Sequence, residues 1–311
     1  MNLDKRIKLR HLNCFLEVAR QRSFVKAAAV LAVSQPAASK TIQELERILA
    51  ARLFDRTPDG VELSEAGRLF LRYIGPGVAA LRRGVAALSD GSHEQALPLR
   101  LGVLSTAESA LVPEAIRQMH QRHPHIAVRV ATGPAAYLLP QLRLGELDLV
   151  VGRVAEAPDI QGLAFEHLYD ERMLFVVRPE HPLLGAALSD LARLADYPLV
   201  LPLPETVIRR HVDSFFVQWG VELPQARVET LSTAVSRSYV VGSDAIWIAP
   251  ADAVAREIAA GTLARLPLPV EEPGGSVGLC WNPEQAAATA AGLFRELLRG
   301  VAAELRASNR L

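Results

Sequence analysis

The chain has 311 residues, of which 50% are hydrophobic and 22% charged, and its 34 Lys and Arg balance its 34 Asp and Glu. This composition excludes a disordered chain, a collagen-like fibre and a disulfide scaffold, and the length favours two domains of roughly 150 residues each. The neutral total argues against a nucleic-acid partner only if the charge is evenly spread, since phosphate binders are usually basic.

The charge is distributed unevenly along the chain. Residues 1–90 hold fifteen Lys and Arg against nine Asp and Glu, a net charge of +6, whereas residues 91–311 hold nineteen against twenty-five, a net charge of −6. Such asymmetry predicts two parts with different partners. The N-terminal residues carry charges throughout, and no apolar run approaches the roughly 18 residues of a spanning helix, so we expect a cytoplasmic protein with no membrane partner.

The basic N-terminal part has the apolar spacing of three consecutive helices. Ser23 can cap a second helix from Phe24 to Leu31, and Ser34 can cap a third from Gln35 to Leu49. Residues 53–63 contain a turn signal between two extended pieces, which predicts a short hairpin. Three helices followed by a hairpin describe a winged helix-turn-helix, flanked here by Arg52 and Arg56, which could contact phosphates.

The third helix carries a polar face near its N-terminus. These side chains can hydrogen-bond base edges or phosphates, and they lie at the end that a recognition helix presents to the major groove. They are Gln35, Ser39, Lys40 and Gln43. An ordinary amphipathic surface helix would show the same polar pattern, so this pattern alone leaves both interpretations open.

Residues 10–67 resemble the DNA-binding domain of LysR-type transcriptional regulators. The matching pieces include Ala27–Ala28, Ser34–Gln35–Pro36–Ala37, Leu53–Phe54 with Arg56, and Leu63–Ser64 with Gly67. The resemblance implies base contacts from Ser34, Gln35, Pro36, Ser39 and Lys40. Many family members have Arg at the position of Lys40. The planar guanidinium of Arg can donate to both O6 and N7 of a guanine, whereas the ammonium of Lys40 cannot bridge these two atoms in this way.

A heptad spacing of apolar residues follows the hairpin and predicts a helix that pairs with a second helix. The seam consists of Leu71, Ile74, Val78, Leu81, Val85 and Leu88. The resemblance implies that this is the linker helix through which two subunits dimerise, and the alternative is packing on its own domain. We expect Gly75–Pro76–Gly77 to interrupt and kink this helix.

The acidic C-terminal part alternates strands with helices, which predicts parallel α/β architecture. The predicted helices include one from Glu108 to His123, with Ser105 and Glu108 as a possible capping box, and a last one from Glu284 to Arg306. We expect two α/β subdomains separated by a cleft. The resemblance implies an effector domain that is similar to a periplasmic binding protein, with chain crossings near residues 165 and 268.

The residues that follow predicted strands form the candidate effector site. In parallel sheets ligands bind beyond the carboxyl ends of the strands, near helix N-termini that favour anions. The candidates are Ser105, Thr106, Thr132, Gly133, Arg153, Pro202, Pro204 and Thr206. Arg153 can engage a carboxylate through two parallel hydrogen bonds, and its alternative role is a surface salt bridge.

The resemblance extends to a narrower group, the PcaQ group of activators of protocatechuate (pca) catabolic operons. The pieces that carry it include 147–153, 165–169 and 243–248. It implies an activator that responds to a carboxylated muconate-type effector, with operator DNA, a second copy of the chain in a dimer or tetramer, and RNA polymerase as partners. A regulator of sugar or sugar-acid uptake or catabolism, also related to this group, remains the alternative.

The predicted organisation is therefore a winged helix-turn-helix over 1–66, a linker helix over 67–92 and an effector domain over 97–311. Subdomain I spans about 97–165 and 269–311, and subdomain II spans about 166–268. Two further classes compete with a regulator: a solute-binding protein with an accessory head, and an enzyme that uses the cleft. The sequence has no GxSxG, HExxH or P-loop motif, and we expect no metal, cofactor or catalytic residue.

Overall fold

The computed structural model describes residues 4–58, 60–89, 98–154, 160–185, 191–268, 274–285 and 289–307. The N-terminal part, which we call the head, forms four helices and a two-stranded antiparallel sheet. Its elements are α1 (Leu9–Gln21), α2 (Phe24–Val30), α3 (Gln35–Leu49), β1 (Phe54–Thr57), β2 (Gly60–Leu63) and α4 (Glu65–Ser89).

The head is organised as the apolar spacing predicts. Phe15 and Leu45 are completely buried, and Ala27 is small enough for the helices to approach closely where they meet. The side chains of Ser23 and Ser34 accept hydrogen bonds from the backbone N–H groups of Lys26 and Ala37, both at 3.3 Å. The predicted hairpin is confirmed as β1 and β2, although Asp59 in its turn lies outside the described residues.

The interruption predicted at Gly75–Pro76–Gly77 is wrong, because α4 continues through Pro76 to Ser89. A proline inside a helix removes one backbone hydrogen bond, which the packing around it can offset. Gly145 packs against this point with a left-handed φ of 72°, and a Cβ there would lie 2.9 Å from the Cα of Pro76. A glycine is required at this contact for both reasons.

The C-terminal part, which we call the body, alternates strands and helices as predicted. Its strands are β3 (Leu99–Val103), β4 (Val128–Thr132), β5 (Leu149–Gly152), β6 (Ala164–Val177), β7 (Leu199–Leu201), β8 (Arg227–Glu229), β9 (Ile246–Pro250), β10 (Ala264–Arg265) and β11 (Gly274–Trp281). Its helices are α5 (Leu111–Arg122), α6 (Ala135–Arg143), α7 (Val207–Trp219), α8 (Thr233–Val241), α9 (Ala251–Ala259) and α10 (Thr289–Ala307).

The long strand β6 joins the two halves of the body. Its first part, 164–172, pairs antiparallel with β11, and its last part, 173–176, pairs antiparallel with β9. The strands β3, β4 and β5 on one side, and β7, β8 and β9 on the other, pair in parallel. In the described residues the sheet order is β4-β3-β5-β11-β6-β9-β7-β8, with β10 also on β6.

Two helix starts differ from the prediction. Helix α5 begins at Leu111 rather than Glu108, and the capping box of Ser105 and Glu108 is wrong because neither residue lies at the start of that helix. The carboxylate of Asp252, from α9, accepts the backbone N–H groups there instead. Helix α10 begins at Thr289, since 282–285 form a turn stabilised by a bond from Glu284 N to the Asn282 side chain.

Candidate DNA-binding face and effector cleft

The N-terminal end of α3 presents the polar face that the sequence predicts. Four of the five family-implied base-contacting residues are exposed, and Ser39 is half-buried. Gln35 donates a hydrogen bond from Nε2 to Ser39 Oγ at 3.0 Å, so the two side chains hold each other on one helix face. Gln43 is also exposed, one turn farther along the helix. The structure brings these side chains together on the solvent-facing side of the head.

The acidic side chains of α3 turn away from this face. Glu46 accepts hydrogen bonds through Oε1 from the backbone N–H groups of Leu53 and Phe54, at 2.7 and 3.4 Å. Glu44 lies beside Arg10 and His11, and its Oε2 is 3.3 Å from Arg10 Nη2. The negative charges of α3 are thus engaged with the head, which leaves a face that phosphate can approach.

The wing carries the two predicted phosphate contacts. Arg52 and Arg56 are exposed, before and within β1. The carbonyl oxygen of Arg52 accepts a hydrogen bond from Ser64 Oγ at 2.6 Å, which fixes the start of the wing against the start of α4. Both guanidinium groups can therefore reach a backbone that passes beside the wing.

The predicted dimerisation seam is divided by the structure. Leu71 and Val78 are buried and Ile74 packs beside them in the core of the head, so this first half of the seam follows the alternative, packing on its own domain. The reason is that α1 and the loop at Leu144 cover it. Leu81 and Val85 are 61% and 67% exposed. The Leu88 side chain lies outside the described residues.

A cavity of about 440 Å³ lies in the body where the predicted effector site is expected. Five of the eight predicted residues line it: Ser105, Thr106, Gly133, Arg153 and Thr206. The other three do not. Thr132 is exposed outside the cavity, and the lining places Leu203 and Glu205 where the sequence suggests Pro202 and Pro204. In the loop after β7, Leu203 and Glu205 border the cavity, and Pro202 and Pro204 are not among the residues that line it.

Arg153 lies at the wall of this cleft and is 3% exposed, which is inconsistent with a surface salt bridge. Gly152 positions it with a φ of 136°, and a Cβ at Gly152 would lie 2.6 Å from that of Leu104. The backbone N–H of Arg153 donates to Thr106 Oγ1 at 2.7 Å, and Nη2 donates to the carbonyl oxygen of Glu171 at 2.6 Å. Among the described residues, Nε and Nη1 have no hydrogen-bond partner.

A buried carboxyl lies next to Arg153. Glu171 is fully buried on β6, with Oε2 at 3.9 Å from Arg153 Nη2 and Oε1 accepting the backbone N–H of Asp252 at 2.9 Å. Burial raises the pKa of Glu171 to about 8, against the opposing effect of Arg153. Burial therefore favours the protonated form of Glu171, which does not neutralise the charge of Arg153.

A second buried carboxyl connects the two halves of the body. Asp252 is 2% exposed, and it accepts the backbone N–H groups of Ser109, Ala110 and Leu111 at 2.8 to 3.1 Å. Burial raises its pKa, while these hydrogen bonds act in the opposite direction. Asp252 thus holds the N-terminus of α5 to α9.

Sequence reasoning missed several residues of the cleft. Alternation along β6 places Glu171 on the same inward side as Tyr169 and Met173, which is a signal that the sequence contained. No local signal identifies Asp252, Arg143 or Arg210, because their positions depend on contacts between distant elements. The last two line the cavity. Among the described residues, no cluster of His, Cys, Asp and Glu could hold a metal ion, and no helix is long and apolar enough to cross a membrane.

The chain is similar to known regulators over both parts. A model of the bacterial regulatory helix-turn-helix proteins of the lysR family matches residues 9–68, and a model of the LysR substrate binding domain matches residues 92–303. The transcriptional regulator PcaQ of Agrobacterium fabrum is 41% identical over 303 residues, which cover 97% of each chain. The regulator YdcI of Escherichia coli is 35% identical over 276 residues, or 89% of this chain and 90% of YdcI.

Solved structures share the fold. Full-length OxyR from Pseudomonas aeruginosa superposes with a TM-score of 0.60 at 24% identity, over 95% of this chain and 96% of OxyR. DarR from Vibrio fischeri, solved in complex with DNA, gives a TM-score of 0.56 at 20% identity, over 97% of this chain and 100% of DarR. With both family models matched in this order, the chain belongs to the LysR family: it is a DNA-binding transcriptional regulator and not an enzyme.

Proposed function

We propose that this regulator activates an aromatic-acid (protocatechuate) catabolic operon and responds to a small carboxylated effector such as a carboxymuconate. Arg153 carries the proposal, because two of its guanidinium nitrogens lack hydrogen-bond partners in the described residues at the wall of a cavity of about 440 Å³. A buried cation of this kind is stabilised by a carboxylate that pairs with it. The similarity to PcaQ over 97% of the chain supports the choice of pathway.

The head binds operator DNA in this proposal through α3 and the wing. Ser34, Gln35, Pro36, Ser39 and Lys40 approach base edges, and Gln43 and the wing arginines contact the flanking backbone. Their exposure on one side of the head and the local charge of +6 support this assignment. The proposed domain organisation is the one that the sequence predicts. The DNA-binding domain ends at residue 66, the linker helix ends at residue 92, and the effector domain begins at residue 97.

The exposed end of α4 is the proposed dimerisation surface. Leu81 and Val85 lie one turn apart and project apolar surface into solvent, which a second copy of the helix would cover. Two heads in one dimer match two operator half-sites, and pairing of dimers gives a tetramer. RNA polymerase is the expected further partner at the promoter.

Effector binding switches the regulator by favouring one arrangement of the two halves of the body. The cavity is lined by residues from both halves, so a ligand that contacts both stabilises the arrangement in which they are close. The ligand must bind the two arrangements with different affinities, or it shifts nothing. The spacing of the heads then changes through α4.

Thermal-shift measurements on the full chain with aromatic-pathway acids and sugar acids test the effector class. We expect a carboxymuconate to stabilise the protein, by about 2.7 kcal/mol at a concentration a hundred times its dissociation constant. Arg153→Gln should abolish this stabilisation, whereas Arg178→Gln, which removes an arginine paired with Asp244 outside the cavity, should not. Stabilisation by sugar acids alone would favour the alternative, a regulator of sugar or sugar-acid uptake or catabolism. If no acid stabilised the protein, the proposal of a carboxylated effector would be contradicted.

A further inference from the structure

One residue of the head lies in the lining of the effector cleft. Arg22, the residue that ends α1, borders the cavity together with the N-terminal residues of α6, Ala135 and Ala136. Its carbonyl oxygen accepts a hydrogen bond from the backbone N–H of Val61 at 3.2 Å, in the strand β2 of the wing. The position of Arg22 is therefore tied both to the cleft and to the part of the head that approaches DNA.

Packing rather than Arg22 holds the head beside the cleft. Leu144, at the C-terminal end of α6, is 5% exposed and belongs to the apolar core of the head. Arg20 forms an ion pair with Glu146, and Asn282 Nδ2 donates to the carbonyl oxygen of Arg72 at 3.1 Å. Helix α6 thus lines the cleft along its length, and the residue that follows it, Leu144, packs into the head.

The charge of the cleft indicates the kind of ligand it binds. Among the described residues, four arginines and one residue with a carboxylate, Glu205, line the cavity. The arginines come from three places: Arg22 from the head, Arg143 and Arg153 from the first half of the body, and Arg210 from α7 in the second half. A single carboxylate can pair with Arg22 or with Arg153, whereas an acid with two or three carboxylates could pair with both.

We propose that Arg22 binds one acid group of the effector, so that the effector site is shared between the head and the body. This inference rests on the proposed effector cleft. A ligand that contacts Arg22 and Arg153 together favours the arrangement in which the head is docked against the body. By reciprocity, any event that moves the head away weakens effector binding.

Isothermal titration of the full chain with three acids tests this proposal: protocatechuate with one carboxylate, cis,cis-muconate with two, and a carboxymuconate with three. We expect the affinity of the unaltered protein to rise with the number of carboxylates. Arg22→Gln should weaken binding of the carboxymuconate about tenfold, equivalent to about 1.4 kcal/mol. It should leave protocatechuate binding unchanged, because one carboxylate is already held by Arg153. Arg22→Lys, which keeps the charge, should lose less affinity for the carboxymuconate than Arg22→Gln.

Lys26→Gln is the matched control, since it removes one positive charge from the head at an exposed position outside the cavity lining. It should bind all three acids like the unaltered protein. Equal carboxymuconate affinity in Arg22→Gln and the unaltered protein overturns the role of Arg22 and leaves the proposed function intact. Reduced DNA affinity in Arg22→Gln with unchanged acid affinity also overturns it, because Arg22 is then a phosphate contact. An unaltered protein that binds none of the acids contradicts this inference and the proposed effector class together.

Discussion

The head and the body of this regulator place their functional groups in opposite ways. In the head, the polar side chains of α3 lie on one short stretch and face solvent. In the body, Arg153 follows β5 while Glu171 lies in β6 and Asp252 in α9, and all three are buried. A surface that meets a highly charged polymer needs no enclosure, whereas a site for a small acid needs buried charge. The two parts of one chain therefore differ in whether their functional groups are exposed or buried.

The pH dependence of stability tests the buried charged groups of the body. Because burial raises the folded pKa of Glu171 from 4.5 to about 8, the carboxyl is protonated in the folded chain and ionised in the unfolded chain between these values. Its contribution to stability is fully present below about pH 4.5 and is lost as the pH rises through about 8, at about 1.4 kcal/mol per pKa unit. Glu171→Gln cannot ionise, so this variant should exceed the unaltered protein in stability at pH 8 by several kcal/mol and match it at pH 5.

Calorimetric melting of the full chain at both pH values measures the effect. Glu166→Gln is the control on the same strand, since Glu166 is ion-paired with Arg299 at the surface and this pairing lowers its pKa. That variant should show no gain at pH 8. Equal slopes of melting temperature against pH in Glu171→Gln and the unaltered protein would show that the carboxyl is ionised in the fold.

Variants of Asp252 test whether the contact between the two halves of the body depends on this one side chain. Asp252→Ala removes the acceptor of three backbone N–H groups at the start of α5, and we expect a loss of about 3 kcal/mol because these donors stay buried. Asp252→Asn keeps one acceptor oxygen and should lose less. Urea unfolding of each variant measures the difference.

Asp213→Ala is the matched control for that experiment. Asp213 pairs with Arg209 at 2.7 Å but is 43% exposed, so its loss should cost less than about 1 kcal/mol. A loss in Asp252→Ala as small as that in Asp213→Ala would mean that the start of α5 is held by other contacts.

How much of the molecule the sequence could predict depends on whether a feature is set by neighbouring residues or by distant ones. Helix α3 has the predicted bounds, because a cap such as Ser34 and apolar spacing act within a few residues. The start of α5 could not be predicted, since its cap is Asp252, more than a hundred residues away along the chain. For the same reason Arg22, which follows α1, and Arg210, in α7, could not be assigned to the cleft from spacing alone.

The exposed side chains of α3 give a prediction about DNA binding. Gln35→Ala with Ser39→Ala removes a hydrogen-bonded pair from the face of α3, and each lost base contact should cost about 1–3 kcal/mol of discrimination against unrelated DNA. Arg56→Ala removes a phosphate contact instead, so it should weaken operator and unrelated DNA alike and lower the salt slope of binding by about one. Mobility-shift titrations over a salt series distinguish the two kinds of loss. A double variant that keeps its preference for the operator would show that the predicted face of α3 does not contact the bases, and the head would then bind through the wing and backbone alone.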